Sequence, residues 1–258
     1  MLAYKRGTYN EDFTSNPTWT WSTQYTVKEP NAPHYMWHPR IDVGDPDGDG
    51  DKVGVVYTAY SSSYDPYPLD YHVGASFWAP NETDFVNGAT YFHWQYAEDE
   101  HCGEPQIDIA PQSNTGEYVS ITFTNNFSSG QYQVIEFNNK RNAFIALVHS
   151  GEEEGVYGAP VIHYESDMVT VTYFQDTGSD WEIESTRFAL DATQMSNNWA
   201  SIESGIDGSF SPSGDVAPPD LDAGIVTKTD NSVWAAWCDH IDTTTATDVH
   251  AAYGDSTP

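Results

Sequence analysis

The chain has 258 residues, with 39 Asp and Glu against 9 Lys and Arg, a formal charge of −30 and an aromatic content of 14%. That excess of acid excludes nucleic acid and anionic lipid as partners and, in dilute buffer, works against compaction. No run approaches the ~20 apolar residues that a membrane helix needs, and no break in composition marks a second domain.

Residues 1–17 are polar and read as an irregular N-terminal arm. They carry the basic pair Lys5 and Arg6 but no apolar stretch, so no signal peptide is expected. Thr18 to Val27 alternates as a strand, with Trp19, Trp21, Tyr25 and Val27 on one side. The proline-rich stretch Lys28 to His38 is too broken for a strand, and its aromatic residues are expected to cap the sheet that begins at Pro39.

From Pro39 onward one pattern recurs. A first strand opens with Pro-x-(Ile/Leu), at Pro39, Pro105, Pro160 and Pro219. A second strand alternates apolar residues over Val53–Tyr57, Val119–Phe123, Val169–Tyr173 and Val233–Trp237. A third is anchored by Val73, Val134, Ile183 and Val249, and candidate fourth strands cover Thr90–Tyr96, Ala143–His149 and Asn198–Glu203. A four-strand unit that recurs after 55 to 66 residues is what a β-propeller blade requires. The reading is therefore all-β: a propeller spanning 18–258 with four blades starting near 39, 105, 160 and 219. The last copy has room for three strands only, so 18–27 is expected to supply its outer strand and close the ring. A fifth blade in the irregular segments stays open as an alternative, as do a sandwich and a solenoid.

Within this pattern, Asp176-Thr177-Gly178-Ser179-Asp180-Trp181 resembles the Asp-box, D-x-G-x-T-W, of sialidase-like (BNR-type) propellers, with Asp180 in place of Thr. Ser128 to Tyr132 is a fainter echo. The resemblance implies a propeller and no activity, because Asp-boxes stabilise turns remote from catalysis in that family. A sialidase grips its substrate with clustered arginines, and this chain has Arg6, Arg40, Arg141 and Arg187, at different strand positions of the repeat.

Four groups of residues carry candidate chemistry. Asp45, Asp47, Asp49 and Asp51, spaced by Pro46, Gly48 and Gly50, form a loop able to wrap Ca2+ with carboxylate oxygens. It resembles the calcium loops of EF-hands and FG-GAP propeller repeats, but Val53 and Val56 stand at its ninth and twelfth positions, and an acidic hairpin tip is the plainer alternative. Tyr60, Tyr64, Tyr67 and Tyr71, on a loop also rich in Ser and Asp, and the nearby Trp94 offer flat faces beside hydrogen-bonding groups, as sugar or protein recognition needs. A loop packed down by its own tyrosines is the alternative. Asp42, Asp108, His163 and Asp222 follow the opening Ile or Leu of each copy and would ring a central channel. There they would either share a cation or bond to neighbouring backbone. Cys102 and Cys238 are expected to be free thiols, with a disulfide or, through His101 and His240, a zinc site as alternatives. Asn81 and Asn126 fit the glycosylation sequon.

At molar salt the screening length drops to about 3 Å, and the penalty of the charge largely disappears. The composition resembles that of salt-adapted haloarchaea and their viruses. The expectation is a non-catalytic recognition module, oligomeric and extracellular or on a virion surface as a spike, turret or tail fibre. It would contact host-envelope carbohydrate or glycoprotein. A sialidase-like or carboxylate-dependent propeller glycosidase and a purely structural virion scaffold are the alternatives.

Overall fold

A computed structural model describes residues 2–4, 7–10, 18–21, 24–28, 34–44, 52–61, 70–78, 101–110, 118–126, 132–147, 154–163, 166–176, 181–193, 199–206, 221–225, 233–239 and 248–254. Among them every regular element is a strand, and every ladder is antiparallel.

Four short strands come first: β1 (Leu2–Tyr4), β2 (Gly7–Asn10), β3 (Thr18–Trp21) and β4 (Tyr25–Lys28). They pair as β1 with β4 and β2 with β3. Four sheets come next. The first holds β5 (His34–Gly44), β6 (Lys52–Ser61) and β7 (Asp70–Trp78). The second holds β8 (His101–Ile109), β9 (Val119–Asn126), β10 (Tyr132–Asn138) and β11 (Ala143–Leu147). The third is β12 (Glu154–His163), β13 (Met168–Asp176), β14 (Trp181–Ala189) and β15 (Trp199–Ile206), and the fourth β16 (Leu221–Ile225), β17 (Val233–Asp239) and β18 (Asp248–Gly254). In each, consecutive strands are neighbours, so each sheet is a meander.

The repeat read from the sequence thus maps onto four sheets, with the candidate fourth strands at Ala143 and Asn198 realised as β11 and β15. Thr90–Tyr96 lies outside the described residues. The N-terminal expectation is corrected. Residues 1–17 contribute β1 and β2, and Thr18–Val27 is two strands whose partners are β2 and β1, with no described ladder to β18. Gly7 to Asn10 alternates too weakly to stand out, yet it offers Trp19 and Trp21 a ladder closer in sequence than the far end of the chain.

Pro39, Pro105 and Pro160 each lie on the first, edge strand of their sheet. Pro39 and Pro105 fall inside a bulge, between Trp37 and Arg40 and between Gly103 and Gln106, whereas Pro160 follows one, between Val156 and Ala159, and faces Val171 in the ladder. A ring nitrogen cannot donate to a ladder, and an edge or bulge is where a strand tolerates it. His38 (φ 47°) and Glu104 (φ 51°), the residues before the first two prolines, take the left-handed conformation that such bulges use. Nδ1 of His38 and a carboxylate oxygen of Glu104 lie 2.7 Å apart, between the two sheets. Pro219 lies outside the described residues.

Register shows how far the copies agree. Ile41 faces Val55 and Ile107 faces Ile121, the same place in both sheets. Ile162 faces Val169, two residues earlier in the second strand, and Leu221 faces Trp237, two residues later. A shift of two preserves which side chains share a face, whereas a shift of one would turn the core outward.

The sheets pack in chain order. β8 lies against β5, β6 and β7, β12 lies against β8, β9 and β10, and β16 lies against β12. Val56, Val73 and Ala75 of the first sheet pack on Ile121, Phe123 and Ile135 of the second. The opposite face of the second sheet, through Val134, Ile145 and Leu147, packs on Ile162, Val169, Val171, Tyr173 and Phe188 of the third. Each side chain so buried contributes on the order of 2 kcal/mol. Gly158 lets the second and third sheets close up: a Cβ there would collide with Cγ1 of Val134, and its carbonyl accepts a hydrogen bond from the Thr122 hydroxyl. The described residues form neither a closed barrel nor a closed ring.

Candidate functional site

Of the residues expected to line a channel, Asp42 and Asp108 sit where one sheet meets the next. Asp42 projects from β5 toward the second sheet, and its Oδ2 accepts the amide of Ile109 at 2.5 Å. Asp108, its counterpart on β8, reaches the third sheet and accepts the amide of Ile162 at 2.6 Å. A carboxylate taking a backbone N–H is a charge-assisted bond, short and stronger than a neutral one. The two acids therefore act as clasps between consecutive first strands. The amides they hold differ by two positions in the repeat, matching the register shift of the third sheet.

The third position departs from the pattern. His163 is buried, and its Nε2 lies 2.7 Å from Oγ1 of Thr170 on the neighbouring strand β13. Arg187 on β14 donates from Nε to that same oxygen at 2.9 Å. Burial, and secondarily the Arg187 charge, lowers the His163 pKa to about 4. Its Nδ1 has no hydrogen-bond partner. Burial also lowers the pKa of Arg187. His163 thus turns into its own sheet, where the aspartates reach across to the next. Asp222 stands at the matching place on β16, and its side chain lies outside the described residues.

The acidic loop joins β5 to β6, whose last and first residues, Gly44 and Lys52, face each other across the ladder. Asp45, Asp47, Asp49 and Asp51 themselves lie outside the described residues. Among the described residues no three His, Cys, Asp or Glu side chains gather as a metal site. At the opposite end of the same sheet, Tyr35, Tyr60 and Tyr71 fall in one row, Tyr35 facing Tyr60 and Tyr60 facing Tyr71. Tyr60 and Tyr71 were expected on a loop, but they end β6 and begin β7, because the alternation of Val55 to Tyr60 carries the ladder past Tyr57. Tyr64, Tyr67 and Trp94 lie outside the described residues. The Asp-box-like stretch falls at the hairpin between β13 and β14, where Asp176 faces Trp181. Cys102 is on β8 in the second sheet and Cys238 on β17 in the fourth.

One polar cluster escaped sequence reasoning. Glu136, fully buried on β10, accepts from the Ser120 hydroxyl at 2.7 Å and from Asn138 Nδ2 at 3.1 Å, and it pairs with the guanidinium of Arg141. Arg141 also donates to the carbonyls of Ala143 at 3.0 Å and, just past β14, Ala192 at 3.4 Å. The available signal was an acid in the apolar run Val134-Ile135-Glu136-Phe137, a position that would otherwise cost several kcal/mol to bury. Arg141 is committed to this pair, Arg187 to the third sheet, and Arg40 lies on β5 of the first, so the described arginines belong to three different sheets.

No protein-family model and no curated protein matches this chain.

Proposed function

We propose that the chain is a non-catalytic recognition module built from four propeller blades. In this reading it serves a salt-adapted system as a virion surface protein, a spike, turret or tail-fibre component, that binds host-envelope carbohydrate or glycoprotein. The row of Tyr35, Tyr60 and Tyr71 at one end of the first sheet carries this reading, because phenol rings with hydroxyl handles suit sugar faces and protein epitopes alike. Arg141, spent on a buried carboxylate, and Arg187, engaged in the third sheet, favour it over a sialidase, whose arginines must converge. Sheets packed in chain order through their first strands support the blade reading. The acidic loop 45–51 would hold Ca2+ and stiffen the end of the sheet away from the tyrosines.

The test is binding to a glycan array and to host envelope glycoprotein in molar salt. Binding that falls at least tenfold in a Tyr60→Ala/Tyr71→Ala variant is the expected result. No binding, or hydrolysis of a fluorogenic glycoside that disappears when one acid is changed, contradicts the reading.

A further inference from the structure

The first two joints are each held by a carboxylate that reaches across, Asp42 to the amide of Ile109 and Asp108 to the amide of Ile162. At the matching place on β12 stands His163. Ile162 faces Val169, and both pack on the second sheet. Successive side chains of a strand point to opposite sides. His163 and Val161 therefore share the other face of the third sheet with Thr170, Thr172, Phe174 and Ile183, all of them buried. β16 packs on β12, so this is the face of the third joint.

One oxygen sets the chemistry there. Oγ1 of Thr170 lies 2.7 Å from Nε2 of His163 and accepts Nε–H of Arg187 at 2.9 Å. A neutral imidazole has one N–H and one bare nitrogen, so a hydroxyl that accepts from Arg187 can still serve it. A protonated ring donates from both nitrogens. Thr170 Oγ1 would then receive N–H groups from two cations, and Nδ1–H would have no acceptor among the described residues. Both faults are costly where water is excluded. The charge that acts on the ring is that of Arg187 on β14, while its neighbours on β13, Met168 and Thr170, are uncharged. Asp108 and Glu136 belong to the second sheet, across the other face, and Asp167 of the β12–β13 hairpin pairs with Lys140. On β16 the titratable residue is Asp222, whose side chain lies outside the described residues.

We propose that His163 makes the third joint an acid-sensitive seam: a proton on its imidazole releases the fourth sheet from the third, while the two joints clasped by aspartates stay closed. Opening the joint brings water to the imidazolium on the side that β16 covers and lets the ring move away from Arg187. The folded ring has a pKa of about 4, lowered from 6.5 first by burial and then by Arg187, so between those values opening is coupled to proton uptake. Ordinary carboxylates are still ionised at about pH 5, where the seam has already weakened. The inference requires neither a ligand nor a closed ring.

Residue-resolved amide exchange in molar salt, corrected for the intrinsic effect of pH on exchange, tests this between neutral pH and about pH 5. The amides of β16 and β17 should lose protection at least about tenfold, while those of β9 and β10 keep theirs. His163→Gln should abolish the loss, and Asp222→Asn should leave it in place. Protection of β16 that is unchanged or rises overturns the proposal. So does a loss shared equally by all four sheets, or one that follows Asp222 and not His163. Should His163→Gln fail to fold, NMR titration of the His163 imidazole in the natural chain decides. Ring protonation and the loss of β16 protection must share one midpoint, and separate midpoints overturn the proposal.

Discussion

At the scale of single residues, the second and third sheets are joined by polar contacts as well as by apolar burial. Glu136 and Arg141 are shielded together, and a buried ion pair is costly to break from one side, because the remaining charge has lost its water and its partner. Arg141→Ala is expected to lower stability by about 3–5 kcal/mol in denaturant melts, and adding Glu136→Gln should recover part of that loss. An Arg141→Ala protein of unchanged stability would show the pair to be dispensable. His163 supplies a pH dependence whose sign is set by its environment. Its folded pKa of about 4 lies below the ordinary 6.5 through burial, with Arg187 adding to the effect. The unfolded chain therefore binds the proton more readily between those values. Its stabilising contribution is complete above pH 6.5, is lost as pH falls toward 4, and changes no further below. Compared with His163→Gln, the natural chain should lose on the order of 3 kcal/mol more across that window. Parallel stability curves for the two proteins would contradict this.

At the scale of strands, the second strand of every copy was legible because Val and Ile alternate with small or polar residues between turn signals, as in Val119 to Phe123. The opening prolines were legible as well, since a residue without an N–H marks an edge or a bulge. Register was not legible. It depends on hairpin geometry, and the third sheet slips by two residues where its first hairpin is shortest. Nor did the sequence single out Leu2 to Asn10 as strand, because a four-residue ladder between polar neighbours leaves too few alternations to count. The residues after each opening Ile or Leu were expected around a channel, sharing a cation or bonding to neighbouring backbone, and that Asp42 and Asp108 reach the next first strand's amides needed coordinates. Close approach at these joints also depends on glycine. A Gly44→Ala Cβ would stand 2.7 Å from the carbonyl oxygen of Ala110, a backbone atom that cannot swing aside. Chemical denaturation of Gly44→Ala should show a loss of about 1–3 kcal/mol. A neutral substitution would mean that the first and second sheets sit farther apart.

At the scale of the whole molecule, the repeat makes stability a series of joints between neighbouring sheets, the first two each with an apolar layer and a polar clasp. The first two clasps are aspartates, the third position is a histidine turned inward, and the fourth, Asp222, lies at the end of the stack. Net charge enters at this scale, because −30 on one chain opposes compaction and is relieved by salt. The tyrosine row and the acidic loop stand at opposite ends of the first sheet, so neither competes with the packing of sheet on sheet. The claim beneath all of this is that consecutive sheets are locked first strand to first strand, and residue-resolved amide hydrogen exchange in molar salt tests it most directly. In Asp108→Ala the amide of Ile162 should exchange much faster while that of Ile109 keeps its protection, and in Asp42→Ala the reverse should hold. Protection at both amides that is indifferent to either substitution would contradict the account.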